Sequence, residues 1–208
     1  MIYRLAKPCD INELVNIHYS VRNIYLIGIF AQLGKPFLKL YYKIILNDKY
    51  SVIVCAEDND GKIKGFSSAT LNVEEQFANL RRNKIKLGFA AFSSIVRRPS
   101  LIKALLERDR STKSISRDNF ISSKGARDEY WVWSATNKDS VSSYEMHETH
   151  LNVLKSLGVK DLYFEVDLNN KQVFRFHELN GAVLLYIKEL PDGRSRAFMK
   201  YNLQERSS

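Results

Sequence analysis

Cysteine is scarce in this sequence: Cys9 and Cys55 are the only two among 208 residues. Both lie in apolar or half-apolar segments, so two buried thiols in a reducing compartment are expected rather than a disulfide framework. No apolar run reaches the length that spans a bilayer. Met1-Ile2-Tyr3-Arg4-Leu5 enters a strand pattern at once, without the build of a secretory signal. These absences predict a cytoplasmic protein. Internal repeats and low-complexity tracts are also missing. Acidic residues are the minority charge, 23 against 32 Lys and Arg. What is plentiful is apolar and aromatic side chain, 45% and 12% of residues, enough for one globular domain with a sizeable core.

The basic surplus is concentrated. Arg81, Arg82, Lys84, Lys86, Arg97, Arg98, Lys103, Arg108 and Arg110 face only Glu107 and Asp109 over that span, which accounts for seven of the chain's surplus of nine. Such a patch attracts an acidic partner: a phosphorylated small molecule, an acidic carrier protein, anionic lipid or nucleic acid. The plainer reading of the same pattern is a solvated helix face. No base-reading motif accompanies the charge, so nucleic acid is not expected.

Periodicity and punctuation give the elements. Ile2-Leu5 reads as a strand. Asp10, with Glu13 three residues on, predicts a capped helix carrying Leu14, Ile17 and Val21 on one face. Lys35 to Leu46 follows as a helix with Phe37, Leu40, Tyr41 and Ile44 at helical spacing. Ser51-Ala56 and Lys62-Ala69 are strands joined through Asn59-Asp60-Gly61, an antiparallel hairpin signal. Glu74 to Glu107 reads as helix in two pieces broken near Pro99, and Ser111 to Asp128 as a polar loop. Tyr130-Trp131-Val132-Trp133-Ser134-Ala135 is an aromatic, β-branched strand. Ser142-Ser143-Tyr144-Glu145 has the form of a capping box and opens a helix to about Leu157, closed by Gly158. Asp161 to Asp167 is the next strand, Lys171 to Asn180 a helix, and Ser195 to Leu203 a closing strand after the Pro191-Asp192-Gly193 turn. A strand–helix–strand of this length implies a parallel pair with a right-handed crossover, and ligands at the carboxyl ends of its strands, near Ala135 to Ser143.

Several segments carry a resemblance. Lys62-Ile63-Lys64-Gly65-Phe66 looks like an "xIVGF" strand. Asn170 to Ala182 (Asn-Lys-Gln-Val-Phe-Arg-Phe-His-Glu-Leu-Asn-Gly-Ala) is similar to an "NxxAxxFYxxxGF" segment, and Leu154-Lys155-Ser156-Leu157-Gly158-Val159 to the end of a cofactor-side helix. With the element order, these resemble the GNAT superfamily of acyl-CoA-dependent N-acyltransferases over nearly the whole chain. The resemblance implies an α/β (α+β) fold: a mixed, mostly antiparallel sheet with a central parallel strand pair and helices on both faces. It implies one domain over 1–208, with a helical and loop insertion at about 74–128, and acetyl-CoA or another acyl-CoA as co-substrate, without a metal. Gly34 to Tyr42 and the basic insertion look like a subgroup tied to surface-polysaccharide synthesis. The expected activity is therefore acyl transfer to an amine, with an amino sugar or sugar nucleotide as acceptor.

One departure is specific. The family holds the CoA pyrophosphate on an Arg/Gln-x-x-Gly-x-Gly/Ala loop, which maps to Lys138-Asp139-Ser140-Val141-Ser142-Ser143. Lys138 keeps a positive charge, but Val141 and Ser143 stand where glycine, or glycine or alanine, lets backbone N–H groups approach phosphate. Asp139 adds a negative charge where an anion would bind. A helix N-terminus with serine hydroxyls still offers donors. The cofactor residues implied are Val132, Trp133, Ser134, Lys138, Val141, Ser142, Ser143 and Asn170.

Acyl transfer needs a backbone N–H facing the developing oxyanion, which the resemblance places at Trp133, with Ser134 beside it. The family's thiolate-protonating Tyr maps to His177, whose ordinary pKa of about 6.5 suits a general acid; a surface histidine is the plainer reading. No base is assigned: Glu57, Asp128 and Glu129 border the acceptor side and read first as surface carboxylates. His147 and His150 share a helix face, but no Cys or carboxylate completes a metal set. His18 reads as part of the first helix. Trp131 and Trp133 share a strand face.

The apolar centre of the insertion, Leu87 to Val96, has two readings: an amphipathic helix on an anionic membrane, or a lid over the acceptor cleft. The lid is preferred, because ten apolar residues anchor weakly. Two further functions stay open beside the CoA enzyme: a non-catalytic binding module on the same fold, and an acyltransferase taking its donor from an acyl carrier protein.

Overall fold

The computed structural model describes residues 1–23, 28–107, 125–136, 138–190 and 193–206. Among the described residues seven strands form one sheet in the order β1-β2-β3-β4-β5-β7-β6. They are β1 Ile2–Leu5, β2 Ser51–Glu57, β3 Ile63–Thr70, β4 Ala126–Trp133, β5 Asp161–Asp167, β6 Val183–Glu189 and β7 Ser195–Asn202. Every pairing is antiparallel except that of β4 with β5. This is the mixed, mostly antiparallel sheet with a central parallel pair that the resemblance implied. The helices are α1 Ile11–Ser20, α2 Ile29–Gln32, α3 Lys35–Leu46, α4 Val73–Arg82, α5 Lys84–Arg97, α6 at 100–107, α7 Ser140–Ser156 and α8 Lys171–Leu179.

The helices divide between the faces of the sheet. On one face, Leu14 and Ile17 of α1, Leu38 and Tyr42 of α3 and Ala91 of α5 close over Ile53, Cys55, Phe66 and Val132. On the other, Leu151 and Leu154 of α7 lie over Val52, Ala69, Leu162, Phe164 and Met199. Strand β2 sends alternate residues to the two faces and buries five in a row, so its sequence is continuously apolar. Each fully buried aliphatic side chain contributes about 1.5–3 kcal/mol. The β2–β3 hairpin turns at Gly61, whose φ of 75° favours glycine, while the Asp58 carboxylate accepts the N–H groups of Asp60 and Lys62.

Several local expectations change. Strand β4 starts at Ala126, not Tyr130: Arg127 and Glu129 pair with each other there, and residues 126–128 join the ladders of β3 and β5. The helix expected from Glu74 to Glu107 breaks at Asn83 as well as near Pro99; the Asn83 side chain turns back to donate to the Asn79 carbonyl. Asp10 does not cap α1 with its side chain: it takes Arg4 and the Lys7 N–H, and Glu13 instead accepts from the Ile63 N–H. Helix α7 is capped by Asp139 rather than by a Ser142–Glu145 box, and Glu145 accepts from the Tyr3 hydroxyl. Cys55 is buried but Cys9 is exposed. Arg108, Asp109 and Arg110, the expected loop as far as 124, and Pro191 and Asp192 of the final turn lie outside the described residues.

Candidate active site

The parallel pair is short. β4 and β5 are in register only at Ala126↔Leu162 and Arg127↔Tyr163, and then they part. β4 goes on with β3 as far as Gly65↔Trp133, with a register shift at Ser68/Ala69 that leaves Glu129 as the extra residue of a bulge. A bulge bends its strand and increases its twist, which turns β4 away from β5. The Ser134 N–H is donated to the Lys64 carbonyl, on the β3 side. Alternation along the strand then directs the Trp133 and Trp131 N–H groups towards the parted side. Of the two candidate oxyanion donors, Trp133 faces the wedge and Ser134 is engaged elsewhere.

Aromatic rings line the wedge on the α7–α8 side. Trp131 stacks on His147 at 4.4 Å and 10°, and its indole N–H donates to the Ser143 hydroxyl at 3.0 Å. Phe176 lies 4.9 Å from Trp131. His177 sits between the two strands, 6.1 Å from Trp131 of β4 and 4.5 Å from Phe164 of β5. It is not a surface histidine: 5% of it is exposed, and its Nδ1 meets the Tyr201 hydroxyl at 2.8 Å. Burial, with Arg206 adding to it, pushes its pKa down to about 4. The ring is therefore neutral at pH 7, and the ordinary value expected of it does not hold.

Beneath the wedge is a buried polar cluster that sequence reading did not assemble. The Ser67 hydroxyl lies 3.3 Å from His147 Nδ1 and 2.8 Å from His150 Nδ1. His150 Nδ1 is 3.9 Å from Asp128 Oδ1. Burial, and then the neighbouring Glu129 charge, push the Asp128 carboxyl up to about 7. Burial drives both histidines well below their usual range. On the opposite face, Glu129 accepts from Gln76 at 2.9 Å, from the Tyr41 hydroxyl at 3.3 Å and from Arg127 at 3.1 Å. Asp128 and Glu129 are thus buried rather than surface carboxylates, while Glu57 is half-buried against Arg4. The only signal available in the sequence was their position directly before an aromatic strand. Among the described residues no group of three or more His, Cys, Asp or Glu is placed to hold a metal.

The N-terminus of α7 is already satisfied. The Asp139 carboxylate accepts the Ser142 N–H at 3.0 Å and the Ser142 hydroxyl at 2.7 Å. Val141 is 68% exposed and Lys138 is exposed. Asn170 caps α8 by accepting the Val173 N–H. Val132 is buried in the core beneath α1 and α3, the Ser134 hydroxyl meets that of Thr136, and Trp133 packs against Gly65. Trp133 also brings its face of the strand to Met146 and Trp131, as their spacing implied.

No family model matches the chain, and no curated protein matches its sequence. Solved structures do match its fold. An aminoglycoside 6'-N-acetyltransferase complexed with coenzyme A superposes with a TM-score of 0.59 at 10% identity, covering all of both chains. Ribosomal-protein-alanine N-acetyltransferase from Brucella melitensis gives 0.60 at 11% identity, over 97% of this chain and 99% of that one. A GNAT-family acetyltransferase from Bacillus cereus gives 0.55 at 14%, over 97% and 96%. Sheet order, parted parallel pair and helix placement together give this chain the fold of the GNAT acetyltransferases.

Proposed function

We propose that this protein transfers an acyl group from a pantetheine thioester, acetyl-CoA first among donors, to an amine. The observation that carries the reading is the open edge of β4 beside the parted β5. An extended pantetheine arm, with its two amides, adds to such an edge as a further strand would. The Trp133 N–H is then the donor for charge developing on the thioester oxygen. His177, neutral and held by Tyr201, serves as a hydrogen-bonding group at the sulfur rather than as an imidazolium acid. Glu129, oriented by Gln76, Tyr41 and Arg127, is the carboxylate best placed on the α1–α3 face to accept the amine proton. The acceptor we favour is an amino sugar or sugar nucleotide of surface-polysaccharide synthesis, handled in the cytoplasm by a single domain spanning 1–208 with its insertion at about 74–128.

The α7 N-terminus does not fit a pyrophosphate as it stands. A carboxylate already occupies the positive end of the helix and takes the Ser142 donors, while the Ser143 hydroxyl accepts from Trp131 and keeps its own proton to donate. Lys138, Ser142 and Ser143 would hold the pyrophosphate only after Asp139 swings away. This favours a second reading, in which the arm is carried by an acyl carrier protein and no pyrophosphate needs a site. A binding module without catalysis is the third. Isothermal titration with acetyl-CoA and with desulfo-CoA separates the first reading from the other two. Micromolar binding of both supports the CoA enzyme and justifies a screen of amine acceptors. No binding of either removes that reading and leaves the other two.

A further inference from the structure

Helix α5 is apolar on two sides. Ala91, with Leu87, Ala90 and Ile95, packs inward on the core beneath α3. Ile85, Phe89, Phe92 and Val96 point outward and are 67%, 78%, 64% and 60% exposed. Their spacing of four, three and four residues puts them in one straight line along the helix, about 16 Å long at 1.5 Å per residue. In α6, Ile102 and Leu106 are also about half exposed. Large apolar side chains in a continuous exposed row mark a contact surface rather than ordinary scatter.

Charge selects the occupant. At 100° per residue, Lys86 and Arg97 fall on one flank of the row and Lys84 on the other, all three exposed. Arg81 and Arg82, both exposed, add two cations at the end of α4, whereas Arg98 donates to Gln32 and Lys103 pairs with Glu107. From Gln76 to Leu106 there are seven Lys and Arg residues and no Asp or Glu. An apolar ridge between two basic rails has the form of a helix lying in the plane of an anionic bilayer: the rings enter the acyl boundary, and the long basic side chains reach back to the headgroups. A second copy of this chain suits the surface poorly, because a two-fold contact along the ridge would bring the same basic rails together. Among the described residues no helix is long and apolar enough to cross a membrane.

We propose that the outer face of α5, through Ile85, Phe89, Phe92 and Val96 with Lys84, Lys86 and Arg97, docks this protein on anionic lipid. The inference departs from the lid expected of this segment, because its large apolar row is exposed on the side away from the core that Ala91 enters; it stands apart from the acyl-transfer reading, since it uses no residue of the β4–β5 wedge.

The test is flotation of the full-length protein with vesicles of phosphatidylcholine alone and of phosphatidylcholine with 30% (about one lipid in three) phosphatidylglycerol. Light scattering gives the oligomeric state in parallel. Binding to the anionic vesicles at least about tenfold stronger than to the neutral ones is expected, with most of it lost at about 0.5 M salt. The Phe89→Ser/Phe92→Ser variant should lose binding while keeping the wild-type melting temperature, because both rings are exposed in the native state. A Lys84→Gln/Lys86→Gln variant should lose selectivity for the anionic lipid. Binding that the Phe substitutions leave unchanged overturns the proposal, since charge alone would then explain it. Absence of binding with a monomeric protein also overturns it. So does a dimer that the Phe substitutions dissociate, which would assign the ridge to a second copy.

Discussion

The Asp139 carboxylate holds both the backbone N–H and the hydroxyl of Ser142, at 3.0 and 2.7 Å. It is the N-cap of the helix that follows the site strand, so the feature that starts α7 is also the one that opposes an anion there. Those hydrogen bonds keep the Asp139 carboxyl below the usual carboxylate range, and it is charged at neutral pH.

Asp139→Asn should therefore tighten acetyl-CoA binding. Asn caps a helix about as well as Asp, so α7 keeps its start while the opposing charge is gone. Calorimetric titration of wild type and variant gives the comparison. An affinity that is unchanged or weaker in the variant would show that Asp139 is not what limits the donor.

Glu129→Gln should lower kcat by about 10²-fold or more, the usual scale for a lost proton acceptor, with little change in KM for the acyl donor. Gln76→Ala, which removes one hydrogen bond from the same carboxylate, should cost much less. Steady-state kinetics with a responsive amine would measure both. Full activity in Glu129→Gln would remove Glu129 from the chemistry.

Stability should fall as the pH drops from about 6.5 towards 4. Burial holds His18 and His177 at about 4 and His150 at about 3, and puts His147 well below its usual range. In the unfolded chain all four titrate near 6.5. Between these limits the unfolded chain binds protons that the native protein does not, so native stability rises with pH. Asp128 acts the other way: its native pKa is about 7 against 3.8 unfolded, so it weakens the protein as pH rises through that window. It is one group against four, and each counts for about 1.4 kcal/mol per pH unit. Melting temperatures in buffers of matched ionic strength should decline steadily from pH 6.5 to 4.5. A flat profile would mean that these imidazoles are protonated in the native state.

Gly65→Ala should be markedly destabilising, although Gly65 lies in ordinary strand backbone. A Cβ there would overlap the Trp133 ring and come within 3.0 Å of the Val132 carbonyl. Overpacking of this kind costs about 1–3 kcal/mol, a drop of several degrees in Tm. Because the ring it displaces belongs to the site strand, donor binding should weaken too. Gly61→Ala has open space around the new methyl and only the positive φ to oppose it, so it should cost about 1–2 kcal/mol and leave donor binding unchanged. Wild-type Tm and donor binding in Gly65→Ala would show that Trp133 yields freely.

The sequence by itself determined most of the frame. Lys35–Leu46 carries its apolar residues at helical spacing and forms the helix over those bounds. Asn59-Asp60-Gly61 dictates the β2–β3 hairpin, and Asp161 to Asp167 alternates as a strand with one buried face. Periodicity and turn chemistry are local properties, which one stretch of chain expresses alone. Only the tertiary structure decided the chemistry. Arg127-Asp128-Glu129 resembles a polar loop until Gln76, Tyr41 and His150, up to 88 residues away, surround it inside the sheet. His177 resembles a surface acid until Phe164, Trp131 and Tyr201 close around it and remove its charge. A charged group's cost and pKa depend on what lies within a few ångströms in space, and the partners that set them here come from distant parts of the chain.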